Sequence, residues 1–231
     1  MTVRGAVRGA ALAQVVVLAG LVAGCSQPAQ GDGAGPSASV GGAADSAGSG
    51  TGDKVAARGG SVGAAGSACA LPVAFDTAEH WKAEAVDTGP AEGGGEAAAE
   101  LAEALLHQGP FTAACEIDAK PAGNIGFIRV WTGEAGAGAG DARALLKEFV
   151  TAEGDTSEAK YSDFTSDSGV FGAEVAYLST SEALEETKKE RAFLTVTDEG
   201  PVVVHLGGLD TGEHEDMLPA YELAKRTLRA T

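Results

Sequence analysis

Basic side chains are scarce in this chain: 16 Lys and Arg face 33 Asp and Glu in 231 residues, a net charge of −17 at pH 7. That balance argues against nucleic acid and anionic lipid headgroups as direct ligands. The plain reading is a solvated acidic surface; recruitment of a basic partner or of Ca²⁺ is the alternative. Long apolar runs are also missing. The longest, AALAQVVVLAGLVAG at 10–24, is broken by Gln14 and Gly20 and falls short of the roughly 20 residues that span a bilayer. Aromatics are few, and none precedes residue 69. Residues 26–68 offer only Val40, Val55 and Val62 as large apolar side chains. Such a stretch buries too little to offset the entropy lost on ordering, so it reads as disordered. Residues 69–231 carry both Trp, all Phe and all Tyr, enough for one core.

What is present at the start is a positively charged segment, MTVRGAVRG, then the short apolar run, then small residues before a cysteine. Together these fit an export signal rather than a permanent span. Val22-Ala23-Gly24-Cys25 resembles the bacterial lipobox, with Val in place of the commoner Leu. The resemblance implies cleavage before Cys25, diacylglycerol on its sulfur, and a protein held on the extracytoplasmic face of the cell membrane. Two acyl chains anchor firmly where one holds only marginally. The organisation expected is a signal peptide over 1–24, lipidated Cys25 with a tether over 25–68, and one domain over 69–231. A flexible tether of this length reaches roughly 35 Å.

Three cysteines in an exported chain leave an odd one unless one has another role. With Cys25 assigned to lipid, Cys69 and Cys115 remain to pair in an oxidising compartment; two buried free thiols are the alternative.

Along the domain, LPVAFDTAEHWKAEAV reads as two extended pieces about an Asp-Thr turn. EAAAELAEALLHQG reads as a helix ended by Gly109, with Leu101, Leu105 and Leu106 apolar. FTAACEIDA and GFIRVW read as strands, the second placing Phe127, Arg129 and Trp131 on one face and Ile128 and Val130 on the other. Asp141 caps a helix through ARALLKEFVTAEG. KYSDFTSD, VFGAEVAYLST, RAFLTVTD and PVVVHLGGL read as strands, the last two as a hairpin. SEALEETKKE reads as a loop or short exposed helix. HEDMLPAYELAKRTLRA closes the chain as a helix, with Pro219 in its first turn or at a kink. Strands grouped in runs point to an α+β fold, an antiparallel sheet flanked by helices.

FDTAEHWKAEAV, RVWTGEAGAGAGDARALLKEF and RAFLTVTDEGPVVVHLGGLD followed by a last helix resemble, over residues 72–229, the PsbP-like sandwich of actinobacterial LpqN-type lipoproteins. Members of that fold mostly act as binding or assembly partners without a shared catalytic set, so the resemblance transfers no functional residue. The Cys69 and Cys115 pair finds no match in that resemblance.

Chemistry-bearing motifs are thin. Gly59-Gly60-Ser61-Val62-Gly63 matches G-x-S-x-G, but a nucleophile elbow needs a strand-to-helix turn, not a Gly/Ser tether. Ser157-Glu158-Ala159-Lys160 matches S-x-x-K with no companion motif. His80, His107, His205 and His214 show no zinc spacing, and Glu213, His214, Glu215 and Asp216 sit where a helix start favours acids. No cofactor or metal is implied. His205 points to the sheet face opposite Val204 and Leu206 and reads as a partly buried, hydrogen-bonded residue. Phe127, Arg129 and Trp131 form the best ligand-binding candidate, since both rings can stack on the guanidinium; a structural Arg at a sheet edge is the alternative. The reading is a membrane-tethered lipoprotein that binds an envelope protein or small ligand without catalysis. An envelope hydrolase assembled from distant segments is the alternative. His205 with a carboxylate and a Ser or Thr in one pocket would favour the hydrolase, and a broad apolar surface patch the binder.

Overall fold

The computed structural model describes residues 54–89, 95–136 and 141–231. Its framework is an antiparallel eight-stranded sheet built from β3 (Lys82–Ala85), β4 (His107–Gln108), β5 (Phe111–Asp118), β6 (Gly126–Gly133), β7 (Thr156–Thr165), β8 (Phe171–Ser181), β9 (Glu186–Thr197) and β10 (Gly200–Gly208). The order is β3-β5-β6-β10-β9-β8-β7, with β4 also paired to β5. A second, three-stranded sheet joins β1 (Arg58–Val62), β2 (Val73–Ala78) and β11 (Arg229–Ala230). Helices α1 (Glu96–Leu106), α2 (Ala142–Glu153) and α3 (Thr211–Arg226) complete the α+β architecture.

The large sheet has apolar layers on both faces, which explains why β10 is buried along its whole length. Val202, Val204 and Leu206 face one layer with Phe193, Ile128 and Val130, under α3 and the small sheet. Val203, Trp131, Leu194 and Val175 face the other, under Leu146 and Phe149 of α2. Asp141 caps α2 by accepting from the Arg143 N–H at 3.0 Å, and Asp210 caps α3 through the Glu213 N–H at 2.9 Å.

A bulge between Ala113 and Cys115 changes what β5 presents. Ala113 sits opposite Trp131 in the α2 layer, while Cys115 sits opposite Val130 in the α3 layer. One extra residue thus turns the second half of the strand over. This brings Cys115 to Cys69, and the two form a disulfide with Cα atoms 5.9 Å apart.

Several expectations are corrected. The domain begins earlier than residue 69, because residues 58–62 of the expected tether form β1 along β2. Val62 is buried and Val55 packs against the same core, while Arg58 Nε lies 2.8 Å from Asp76 Oδ2. A strand that borrows its partner's core needs few large side chains of its own, so composition hid it. The G-x-S-x-G sequence therefore lies in an antiparallel strand and its exit, not at a nucleophile elbow. The first turn falls at Glu79-His80, with His80 at a φ of 66°, instead of at Asp76-Thr77. SEALEETKKE is neither loop nor helix. Its ends continue β8 and β9 around a turn at residues 182–185. Pro219 lies well inside α3, where its carbonyl accepts from the Ala56 N–H at 2.9 Å. Cys25 and the signal segment lie outside the described residues.

Candidate functional site

A helix of twelve residues such as α2 spans about 18 Å, whereas strands of the length of β8 and β9 run to about 40 Å. α2 therefore covers only part of its face of the sheet. Beyond Glu153, its last residue, the sheet is left open as a cleft of about 690 Å³. Phe127, Arg129 and Trp131 of β6, His205 of β10, and Lys188 and Glu190 of β9 lie along it, with Ser179 and Ser181 of β8. Its rim carries Leu105 of α1, Ile125 before β6, Leu184 at the β8–β9 turn and Leu209 after β10. The Leu209 N–H donates to the Ile125 carbonyl at 3.0 Å, which holds two of these rim segments together.

Of the polar groups lining the cleft, Lys188, Glu190 and His205 are engaged with one another, and Arg129 and Glu153 with neighbours beside it. His205 Nε2 lies 3.0 Å from Glu190 Oε2 and 3.2 Å from the Tyr177 hydroxyl, which in turn donates to Glu153. Lys188 Nζ reaches Glu190 Oε1 at 2.8 Å and donates to the Gly208 carbonyl at 2.7 Å. Arg129 is bound to Glu116, with Nε to Oε2 at 3.1 Å, and its Cζ lies 4.6 Å from the Phe127 centroid and 5.6 Å from that of Trp131. The stacking expected of these three side chains is present. Phe149 packs behind these residues with its ring edge-on to both Trp131 and His205.

Burial pushes His205 down, but the Glu190 carboxylate outweighs it and leaves the imidazole above its ordinary value. Burial pushes Glu190 up, yet His205 and Lys188 hold it below the ordinary carboxylate value. Tyr177 is held well above the usual phenol range by burial and by the Glu153 and Glu190 carboxylates.

His214, on α3, responds in the opposite sense to His205. Burial lowers it to about 4, while Glu190 opposes that and Arg191, His205 and Lys189 add to it. Its Nδ1 is buried without a hydrogen-bond partner among the described residues. A histidine neutral when folded and near 6.5 when unfolded withdraws stability as pH falls from 6.5 towards 4, because protons bind the unfolded chain first. A His214→Leu variant is accordingly expected to lose less melting temperature than wild type over that interval, as followed by calorimetry at a series of pH values.

Among the candidates from sequence, Phe127, Arg129 and Trp131 share the cleft with His205, whereas His80, His107 and His214 do not line it. Lys188, Glu190, Tyr177 and Glu153 were not anticipated. The signal for the first two was the alternation Glu186, Lys188, Glu190, masked by the assignment of that charged run to a loop or helix. The set named as a mark of a hydrolase, His205 with a carboxylate and a Ser in one pocket, is present in His205, Glu190, Ser179 and Ser181, and so is the apolar patch named as a mark of a binder. The hydrolase arrangement requires the ring to meet a nucleophile. Here Nε2 is engaged by Glu190 and Tyr177, and neither Ser179 nor Ser181 is hydrogen-bonded to His205 among the described residues.

A family model described as an uncharacterised lipoprotein matches residues 39–228. No curated protein matches the chain. Among solved structures, the chain is similar to the solution structure of cyanobacterial PsbP (CyanoP) from Synechocystis sp. PCC 6803. The identity is 10%, the match covers 69% of this chain and 87% of that one, and the TM-score is 0.42.

Proposed function

The chain belongs to that family of uncharacterised lipoproteins, and from this premise we propose that it is a non-catalytic binding module, held by lipid on Cys25 at the extracytoplasmic face of the cell membrane, whose ligand enters the cleft beyond α2. The observation that carries the reading is the pairing of an apolar rim with a floor whose Arg129, Lys188, His205 and Glu190 are already paired within the protein. Such a floor orients a ligand, and among the described residues its histidine is engaged through Nε2 by Glu190 and Tyr177 and is not hydrogen-bonded to Ser179 or Ser181 as a serine hydrolase needs.

The anchor and the cleft are separately testable. Cys25→Ala is expected to abolish incorporation of labelled palmitate and release the protein from membranes; persistent labelling refutes the anchor. For the cleft, a photo-crosslinking residue replaces Leu184 on the rim, or Phe171, which is exposed but does not line the cleft. Crosslinked material in intact cells is expected from position 184 and not from 171. Equal yields from both refute the cleft as the binding site.

A further inference from the structure

We infer that the ligand of this cleft is a neutral acyl compound: a hydrocarbon chain joined to a polar head that has no net charge and carries a carbonyl oxygen. This deepens the reading of the cleft as the binding site and rests on it.

The rim supplies the first argument. Five large apolar side chains stand exposed among the described residues, and Leu105, Ile125, Leu184 and Leu209 all line this one cleft, at 54, 56, 71 and 53% exposure. Scattered exposed leucines are ordinary, but four around a single opening form a surface that gains from being covered. They come from α1 and from three separate connections, at 119–125, 182–185 and 209–210. They therefore flank a channel and do not form a single stripe along one helix. A narrow hydrocarbon chain lying between them can meet all four.

The floor supplies the second. Its cations are Lys120, Arg129 and Lys188, and its carboxylates are Asp118, Glu153, Glu186 and Glu190. The deepest of these charges are neutralised within the protein: Lys188 and His205 by Glu190, and Arg129 by Glu116. Lys120, an exposed residue, is the one of these cations without an ion-pair partner among the described residues; the half-buried Arg129 and Lys188 and the buried His205 are all paired, and a chain of net charge −17 adds a repulsive background to an anion. A charged head seated among these buried and half-buried groups would therefore have to break an existing pair, whereas an uncharged head need not.

Trp131 supplies the third. It lines the cleft, is 4% exposed, and its indole N–H is buried without an acceptor among the described residues. A buried donor with no acceptor is costly, and an indole N–H can only donate. An ester or amide carbonyl at the junction of head and chain provides that acceptor while the chain extends to the leucine rim. A protein tethered beside a bilayer is surrounded by compounds of this class.

The test uses the full chain with Cys25→Ala, to remove the anchor, and Trp81→Phe, to leave Trp131 as the sole tryptophan. Monomyristoylglycerol, kept below its aggregation limit in detergent-free buffer, is expected to change Trp131 emission saturably with one molecule bound. Myristate should bind at least tenfold more weakly, and glycerol should give no response. Leu105→Glu with Leu209→Glu, both exposed positions, should weaken binding at least tenfold while leaving the melting curve unchanged. Trp131→Phe, followed by equilibrium dialysis with labelled monomyristoylglycerol, should weaken it several-fold. Silence towards monomyristoylglycerol, an equal response to myristate, or binding undiminished by the two Glu substitutions overturns the inference. A response to maltotriose or to a short peptide, with none to monomyristoylglycerol, also overturns the acyl class but leaves the cleft as the binding site.

Discussion

Paired Cys69→Ala and Cys115→Ala substitutions are expected to lower the stability of the folded domain by about 4 kcal/mol. For a domain of this size that corresponds to a fall in melting temperature of about 8 to 16 °C. The bridge closes a sequence separation of 46 residues, and most of its effect is exerted on the unfolded chain, whose freedom it restricts. It also has a structural consequence in the folded state. Cys69 follows β1, and Cys115 belongs to the large sheet, so the bond fastens the segment leaving β1 to the main framework. Both residues are buried in the core beneath α3, at 2 and 0% exposure. Alanine keeps that core apolar, so the measured loss reports the cross-link and a small cavity. Differential scanning calorimetry with and without reductant checks the magnitude: wild type under reductant should approach the double variant. A loss below about 1 kcal/mol would show that the bridge contributes little.

Glu190→Ala is expected to cost about 3 kcal/mol, at the low end of the range for breaking a buried ion pair, because Lys188 is partly exposed and can turn to water. Glu190 is 2% exposed and serves two cations at once, His205 and Lys188. The pH dependence distinguishes this from simple loss of packing. His205 is raised when folded, so its contribution is fully present below its unfolded value of about 6.5 and is lost as pH rises through the raised value. Glu190 is lowered, so its contribution is present above its unfolded value and lost as pH falls through the lowered one. Wild type is thus favoured between those limits. Without Glu190, burial dominates His205 and lowers it, so stability should instead increase with pH through the neutral range. Urea titrations of both proteins between pH 5 and 8 give this sign directly. Combining Glu190→Ala with His205→Ala should recover part of the loss, since no isolated imidazole remains to be charged.

The strands and helices with their own large side chains were legible in the sequence. PVVVHLGGL, GFIRVW and ARALLKEFVTAEG form the elements that their patterning implies, and Phe127, Arg129 and Trp131 share a face as alternation requires. What escaped depended on partners. β1 is ordered by the core and ion pair that β2 and its surroundings provide. The far end of the β8–β9 hairpin is charged because it passes beyond the cover of α2, so hydrophobic alternation could not mark it as strand. The same geometry explains why the site was half visible. One strand supplies Phe127, Arg129 and Trp131, whereas Glu190 and Tyr177 reach His205 only through sheet order, and Glu153 reaches Tyr177 only because α2 ends there. The bulge in β5 leaves no local sequence signal, yet it decides which face Cys115 occupies.

The most direct test of the account is native mass spectrometry of the protein extracted from its own membranes, in parallel with the Leu105→Glu, Leu209→Glu variant. The account predicts lipidated wild-type protein carrying one additional small molecule, and a lipidated variant that carries none. Bare wild-type protein, or the same adduct on both, would contradict the assignment of the cleft as the binding site.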